Sequence, residues 1–230
     1  MVVGAGRMKK LEVSIWSDVN CPWCAIGYAQ FAKAVELLSD ELVVTVRWMP
    51  YQLVPDLPPE GRTQKAQYEL SSGGSFSEIR ESRIAVTEAS KQAGYPIAWA
   101  DDEDGDAMVW NTFDAHKLLR WALDWQGPEA QTALSLALFD AHFRDARNIS
   151  DRETLAEIAD SIPELRAEGA MEAMADDTLS MAVSFEEGRG RKSGINTVPT
   201  FVVADKYALQ GAQEAETLAK ALRDIAAKED

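Results

Sequence analysis

The chain has 230 residues, 46% of them hydrophobic and seven of them tryptophan, enough to bury a substantial core in one domain or two. Its 38 acidic side chains against 23 basic ones leave a net charge of -15, which disfavours nucleic acid and anionic membrane surfaces as partners. No apolar run approaches the ~18 residues of a membrane span, and Met1 to Lys10 lack the apolar stretch of a secretory signal, so the expected setting is the cytoplasm.

Leu11, Val13 and Ile15 alternate with Glu12, Ser14 and Trp16, the period of a strand over Leu11–Ser17 that ends in a turn through Asp18 and Asn20. From Pro22 to Leu38 the apolar residues Ile26, Phe31, Ala34, Val35 and Leu38 recur at helical spacing, with a proline where a first helical turn tolerates one. Valine-rich alternation then predicts a strand over Leu42–Met49, and a strand-helix-strand unit of this length implies parallel pairing with a right-handed crossover.

Leu53 to Pro59 reads as a proline-rich connector. From about Thr63 to Arg189 almost every segment has helical periodicity, clearest over Phe76–Ala93, Ala107–Trp125, Pro128–Arg147, Asp151–Asp160 and Pro163–Glu187. The end returns to strands, Thr200–Ala204 and Tyr207–Gln210, and then to a helix over Glu214–Ala227. The expected class is α/β, a thioredoxin fold with a large all-helical insertion: 11–60 and 190–228 form a discontinuous thioredoxin-like domain, and 61–189 the inserted helical domain.

The only cysteines form the motif Cys21-Pro22-Trp23-Cys24 at the start of the first helix. Structural disulfides are rare in the cytoplasm, so a Cys-x-x-Cys pair there points to redox catalysis or to metal. The metal reading lacks a second cysteine pair, and His116 and His142 stand far outside the three-to-five-residue spacing of a zinc finger. Exchange needs a thiolate that attacks and a second thiol that releases the partner, and cysteines at i and i+3 of one helix supply both. Cys21 at the helix N-terminus is expected to be the nucleophile, with its pKa lowered from about 8.5 by the helix dipole. Cys24, one turn inward, is expected to be the resolving thiol.

The Pro22-Trp23 pair carries no cation and Asp18 opposes a thiolate if close, so the expected lowering is moderate, that of a mild reductant or isomerase-like catalyst. Trp23 is expected to shield the dithiol and offer a contact face. Pro199, after Val198 and opening a strand, lacks the N–H of a ladder and occupies a favoured place for a cis bond. In that geometry the Val198 backbone turns toward the dithiol, where an extended substrate can pair with it.

Cys21-Pro22-Trp23-Cys24, Val198-Pro199-Thr200-Phe201 and Leu209-Gln210-Gly211-Ala212-Gln213, separated by a helical insertion, resemble the DsbA-like thioredoxin superfamily. The pattern is most similar to its cytosolic FrnE-like branch, beside the 2-hydroxychromene-2-carboxylate isomerases and kappa-class glutathione transferases. The likeness runs from Leu11 to Ala227 and includes Asn111-Thr112-Phe113-Asp114-Ala115-His116, similar to an Asn-x-x-x-Ala-His stretch of those relatives. It implies a cis proline at Pro199 and disulfide oxidoreductase activity carried by Cys21 and Cys24. Val198, Pro199 and Trp23, and on family likeness alone Asn111 and His116, are then substrate-binding residues.

Relatives that use glutathione carry serine at the position of Cys21, so the cysteine favours protein disulfide chemistry. Asn196-Thr197 departs from the glycine that often precedes the Val-Pro pair. No metal or organic cofactor is required on this reading. The partners are protein or small-molecule disulfides, with glutathione a candidate co-substrate, and the chain is a monomer or a homodimer. A glutathione-dependent isomerase or transferase is the alternative enzyme, and a binding or chaperone module the non-enzymatic one.

Helical spacing among Phe113, Leu119, Phe139 and Phe143 makes His116 and His142 packed core residues on the plainer reading. The run Asp101-Asp102-Glu103-Asp104-Gly105-Asp106 misses two key ligands of an EF-hand loop and reads as a solvated acidic loop. Asp18 is expected either to accept a proton from Cys24 or to shape the turn.

Overall fold

The structure, a computed structural model, describes residues 8–72, 76–99 and 107–229. The acidic run 101–106 lies outside them. Alternation of Leu11, Val13 and Ile15 buries one face of β1 (Lys9–Ser17). This strand pairs in parallel with β2 (Leu42–Pro50), and α1 (Pro22–Leu37) is the crossover between them. On the other side β1 takes β5 (Thr200–Val203) antiparallel, and β5 takes β6 (Tyr207–Gln210), giving the sheet order β2-β1-β5-β6. Helix α1 and the C-terminal α9 (Ala215–Ala226) pack together, and the Phe31 ring of α1 stacks on Phe201 of β5 with centroids 5.0 Å apart. Burying the apolar stripe of α9 (Leu218, Leu222 and Ile225) drives this packing.

Between β2 and β5 the described residues run through α2 (Gln64–Ser72), α3 (Phe76–Gln92), α4 (Phe113–Gln126), α5 (Pro128–Phe143), α6 (Arg152–Asp160), α7 (Ala167–Ala175) and α8 (Asp177–Lys192). A two-stranded ribbon, β3 (Arg62–Thr63) with β4 (Met108–Val109), joins the ends of the first part of this stretch. Helix α5 docks on the outer edge of β2 through Gln131, which is fully buried. Its amide accepts from Trp48 N at 2.8 Å and donates to Trp48 O at 2.9 Å, the two bonds a further strand would have made. The Trp48 indole adds a bond to Thr132 Oγ1 at 3.1 Å.

Two helical expectations need correction. The segment expected as one helix over Ala107–Trp125 starts with strand β4, because Met108 and Val109 find partners in Thr63 and Arg62, and α4 begins only at Phe113. The segment expected over Pro163–Glu187 is two helices: the Asp176 side chain accepts from Thr178 N at 2.6 Å, capping α8 and ending α7 at Ala175. Helix α2, not singled out in the sequence, follows directly on β3.

Candidate active site

The turn after β1 brings the dithiol to the end of the sheet. Cys21 N donates to Asp18 O at 3.0 Å, Cys21 takes an extended conformation as the N-cap of α1, and Pro22 is the first helical residue. No side chain caps this helix and its first turn holds no carboxylate, so Cys21 stands alone at a terminus suited to an anion. Cys21 and Cys24 are both free and buried, and they approach to 3.4 Å. Burial pushes the Cys24 thiol well above its ordinary range, and the hydrogen bond and charge of Cys21 push it the same way. The Ser17 hydroxyl and the Asp18 N–H act in the opposite direction. Burial thus favours the protonated form of Cys24.

Facing the pair is the segment before β5. The Val198–Pro199 peptide bond is cis, and Cys21 Sγ donates to Val198 O at 3.8 Å. Thr200 Oγ1 donates to Thr197 O at 2.7 Å and Gly211 N to Pro199 O at 2.8 Å, which fasten this loop at both ends. Helix α1 reaches the loop only because residue 27 is glycine: a Cβ there would lie 2.7 Å from Pro199 Cγ.

The dithiol opens on a cleft of about 480 Å³. One wall carries Asn20, Cys21, Pro22 and Trp23, a second Leu53 and Val54, and a third Asn196, Thr197 and Val198. Trp23 is 38% exposed, a contact face beside the thiols. The remaining wall comes from α2, α3 and the segment after it, chiefly Tyr68, Ile79, Arg83, Val86 and Trp99. None of these was singled out in the sequence. The seven-residue spacing of Ile79 and Val86 marks one face of α3, but nothing in the chain indicates that this face meets the cysteines. In a chain with 38 acidic residues, no carboxylate stands among the described residues that line the cleft. Arg83 is held there by Gln64, with Nε and Nη2 both donating to Gln64 Oε1 at 3.0 and 2.7 Å.

Cys21, Trp23 and Val198 thus meet at one cleft, with Pro199 just behind Val198. Asn111 and His116 do not line it. Asn111 works as a bracket: Nδ2 donates to Leu57 O at 2.6 Å and Oδ1 accepts from Phe113 N at 2.9 Å, fixing the connector and the start of α4. It borders a different, more polar depression with Gln52, Asp114, Ser150 and Arg152. His116 is buried, its Nε2 has no hydrogen-bond partner among the described residues, and Asp18 Oδ1 stands 3.7 Å away. Asp18, itself 1% exposed, ties the site together. Its Oδ2 accepts from Leu53 N at 2.7 Å and its Oδ1 from Asn20 N at 3.3 Å. Asn20 in turn grips the Trp110 backbone, donating to its O at 2.5 Å and accepting from its N at 3.3 Å. No group of three or more His, Cys, Asp or Glu among the described residues is placed to hold a metal ion.

A dithiol at the start of the helix that joins two parallel strands, faced by a Val-Pro loop before an antiparallel strand, is matched over residues 12–223 by the family described as DSBA-like thioredoxin domain. The chain belongs to that family. A DsbA-like member from Streptomyces coelicolor, solved as a probable DsbA oxidoreductase, superposes with a TM-score of 0.80 at 29% identity, over 96% of this chain and 91% of that one. The cytosolic disulfide reductase DsbM from Pseudomonas aeruginosa, solved with GSH, shares the fold at a TM-score of 0.66 and 17% identity, over 93% of this chain and 98% of that one. By sequence the chain is 24% identical over 223 residues to the uncharacterized protein YwbO of Bacillus subtilis (strain 168), covering 93% of this chain and 96% of the relative. The DsbA-like fold is accordingly that of thiol oxidoreductases, and no helix among the described residues is long and apolar enough to cross a membrane.

Proposed function

We propose that this DsbA-like chain is a thiol-disulfide oxidoreductase that works in the cytoplasm through Cys21 and Cys24. On this reading the stretch 61–189 acts as a unit inserted in a thioredoxin-like one. The observation that carries the proposal is a pair of free thiols 3.4 Å apart, with the outer one facing both an open cleft and the Val198 carbonyl.

In the reducing direction the Cys21 thiolate attacks one sulfur of a substrate disulfide, forming a mixed disulfide and expelling the other sulfur as a thiolate. Cys24 then gives up its proton and attacks Cys21 Sγ. The Cys21–Cys24 bond forms, the mixed disulfide breaks, and the second substrate sulfur leaves. Two electrons and two protons pass from the dithiol to the substrate, and oxidation of a substrate is the same path reversed. Closing the ring requires the sulfurs to move from 3.4 Å to the ~2.05 Å of a disulfide, a displacement within reach of side-chain rotation. Val198 offers backbone groups to an extended substrate and Trp23 a flat apolar face. Glutathione is a candidate co-substrate, and no metal or organic cofactor enters any step.

The test is reduction of insulin disulfides with a dithiol donor. Cys21→Ser abolishes turnover, and Cys24→Ala allows one attack and then accumulates a mixed disulfide detectable by mass. Full turnover in Cys24→Ala would instead indicate glutathione-dependent chemistry of another class.

A further inference from the structure

We propose that His116 is a positioning residue for disulfide exchange: its protonated imidazole pairs with the buried Asp18 carboxylate, and so fixes both the turn that carries Cys21 and the Leu53 wall of the cleft. This rests on the oxidoreductase reading and adds to it a residue that touches neither cysteine.

The role follows from what Asp18 holds. Its carbonyl receives Cys21 N, its own N–H faces the Cys24 sulfur, and its two carboxylate oxygens receive Asn20 N and Leu53 N. The backbone of Asp18 thus holds the two cysteines while its buried carboxylate ties the turn to Leu53 and Asn20. A carboxylate removed from water needs a cation or full hydrogen bonding. Among the described residues the only side chain within ion-pair range is His116, whose Nε2 is buried and makes no hydrogen bond. At 3.7 Å the two are just beyond a good hydrogen bond, within the reach of a small rotation of the ring.

Other charged groups on the elements around α4 are engaged elsewhere. Lys117 donates to Met174 O at the end of α7, Asp114 takes Arg152 of α6, and Arg120 takes Glu186 of α8, a carboxylate that also feels Arg47 of β2. Glu187 of α8 binds Arg191 and Gln52 N. From α5, His142 feels the charge of Asp18, but burial pushes it down to about 4 and keeps it neutral at physiological pH. The chain has no third histidine.

The decisive measurement is an NMR titration of the reduced full-length protein from about pH 5 to about pH 9, following the His116 ring together with the Asn20 and Leu53 amides. The expected result is that both amides shift with the midpoint of the His116 ring, and that Asp18→Asn uncouples them from it. In insulin reduction, His116→Gln is expected to lose the ionisation that the ring imposes on the pH profile of kcat/KM, with about a tenfold fall at neutral pH. A ring that stays neutral over the whole range, amides that stay still while it titrates, or coupling that survives Asp18→Asn overturns the proposal. Because the titration needs neither turnover nor a His116 variant, it separates this inference from the oxidoreductase reading, which stands or falls with Cys21→Ser.

Discussion

Gly27 and Pro199 touch across the site: the glycine of α1 leaves room for a proline ring whose Cγ would lie 2.7 Å from any Cβ placed there. Helix and loop carry Cys21 and Val198 respectively, so this one contact sets how closely thiol and carbonyl approach. Gly27→Ala is expected to push the helix from the loop, at a cost of about 1–3 kcal/mol for an overpacked site. Insulin reduction should slow while the helical content seen by circular dichroism stays unchanged. A variant with wild-type stability and rate would mean that the loop moves aside freely.

Cys24 links stability to alkaline pH. Burial raises its pKa in the folded state, so as pH climbs past the ordinary thiol value near 9 the unfolded chain loses a proton that the folded chain keeps. The unfolded state is then favoured, and the reduced protein should lose up to about 1.4 kcal/mol per pH unit above that point. Urea unfolding of reduced protein against Cys24→Ala checks this, since the slope attributed to Cys24 must vanish in the variant.

His142 links stability to acid pH with the opposite sense. Its folded pKa is held down to about 4 against an ordinary 6.5, first by burial and against the pull of Asp18. Below pH 6.5 the unfolded chain takes up a proton that the folded chain refuses. Stability present above 6.5 is therefore lost as pH falls toward 4, on the order of 2–3 kcal/mol. Thermal melts of His142→Phe should show a shallower decline over this interval.

Gln131 stands in for a strand at the edge of β2. Replacing it with leucine leaves Trp48 N and Trp48 O without the partners at 2.8 and 2.9 Å. With roughly 1–3 kcal/mol for each stranded buried group, Gln131→Leu should cost about 2–4 kcal/mol in chemical denaturation. A loss below about 1 kcal/mol would show that neighbouring groups take over both bonds.

Much of the framework was legible because its information is local. Period-two alternation marks β1 and β2, helical spacing and an early proline mark α1, and the i, i+3 cysteines at its start mark the site. The two misread helix boundaries have different causes. Met108 and Val109 leave the helical pattern for strand partners far earlier in sequence, at Thr63 and Arg62, and the break at Asp176 is a cap with neither glycine nor proline to announce it. Asn111 and His116, expected at the substrate on family likeness, stand away from the dithiol cleft: Asn111 brackets a connector and His116 stands behind Asp18.

By itself, then, the sequence determined a dithiol at a helix start on a strand-helix-strand frame, since each of those features is set by neighbours within a turn or a few residues. The tertiary structure alone decided which face of α3 walls the cleft, how Asp18 gathers Asn20 and Leu53, and that a histidine far along the chain completes its surroundings. Periodicity tells which residues share a face. Which partner that face meets depends on how whole elements pack, and that is settled only when they bury their surfaces against one another.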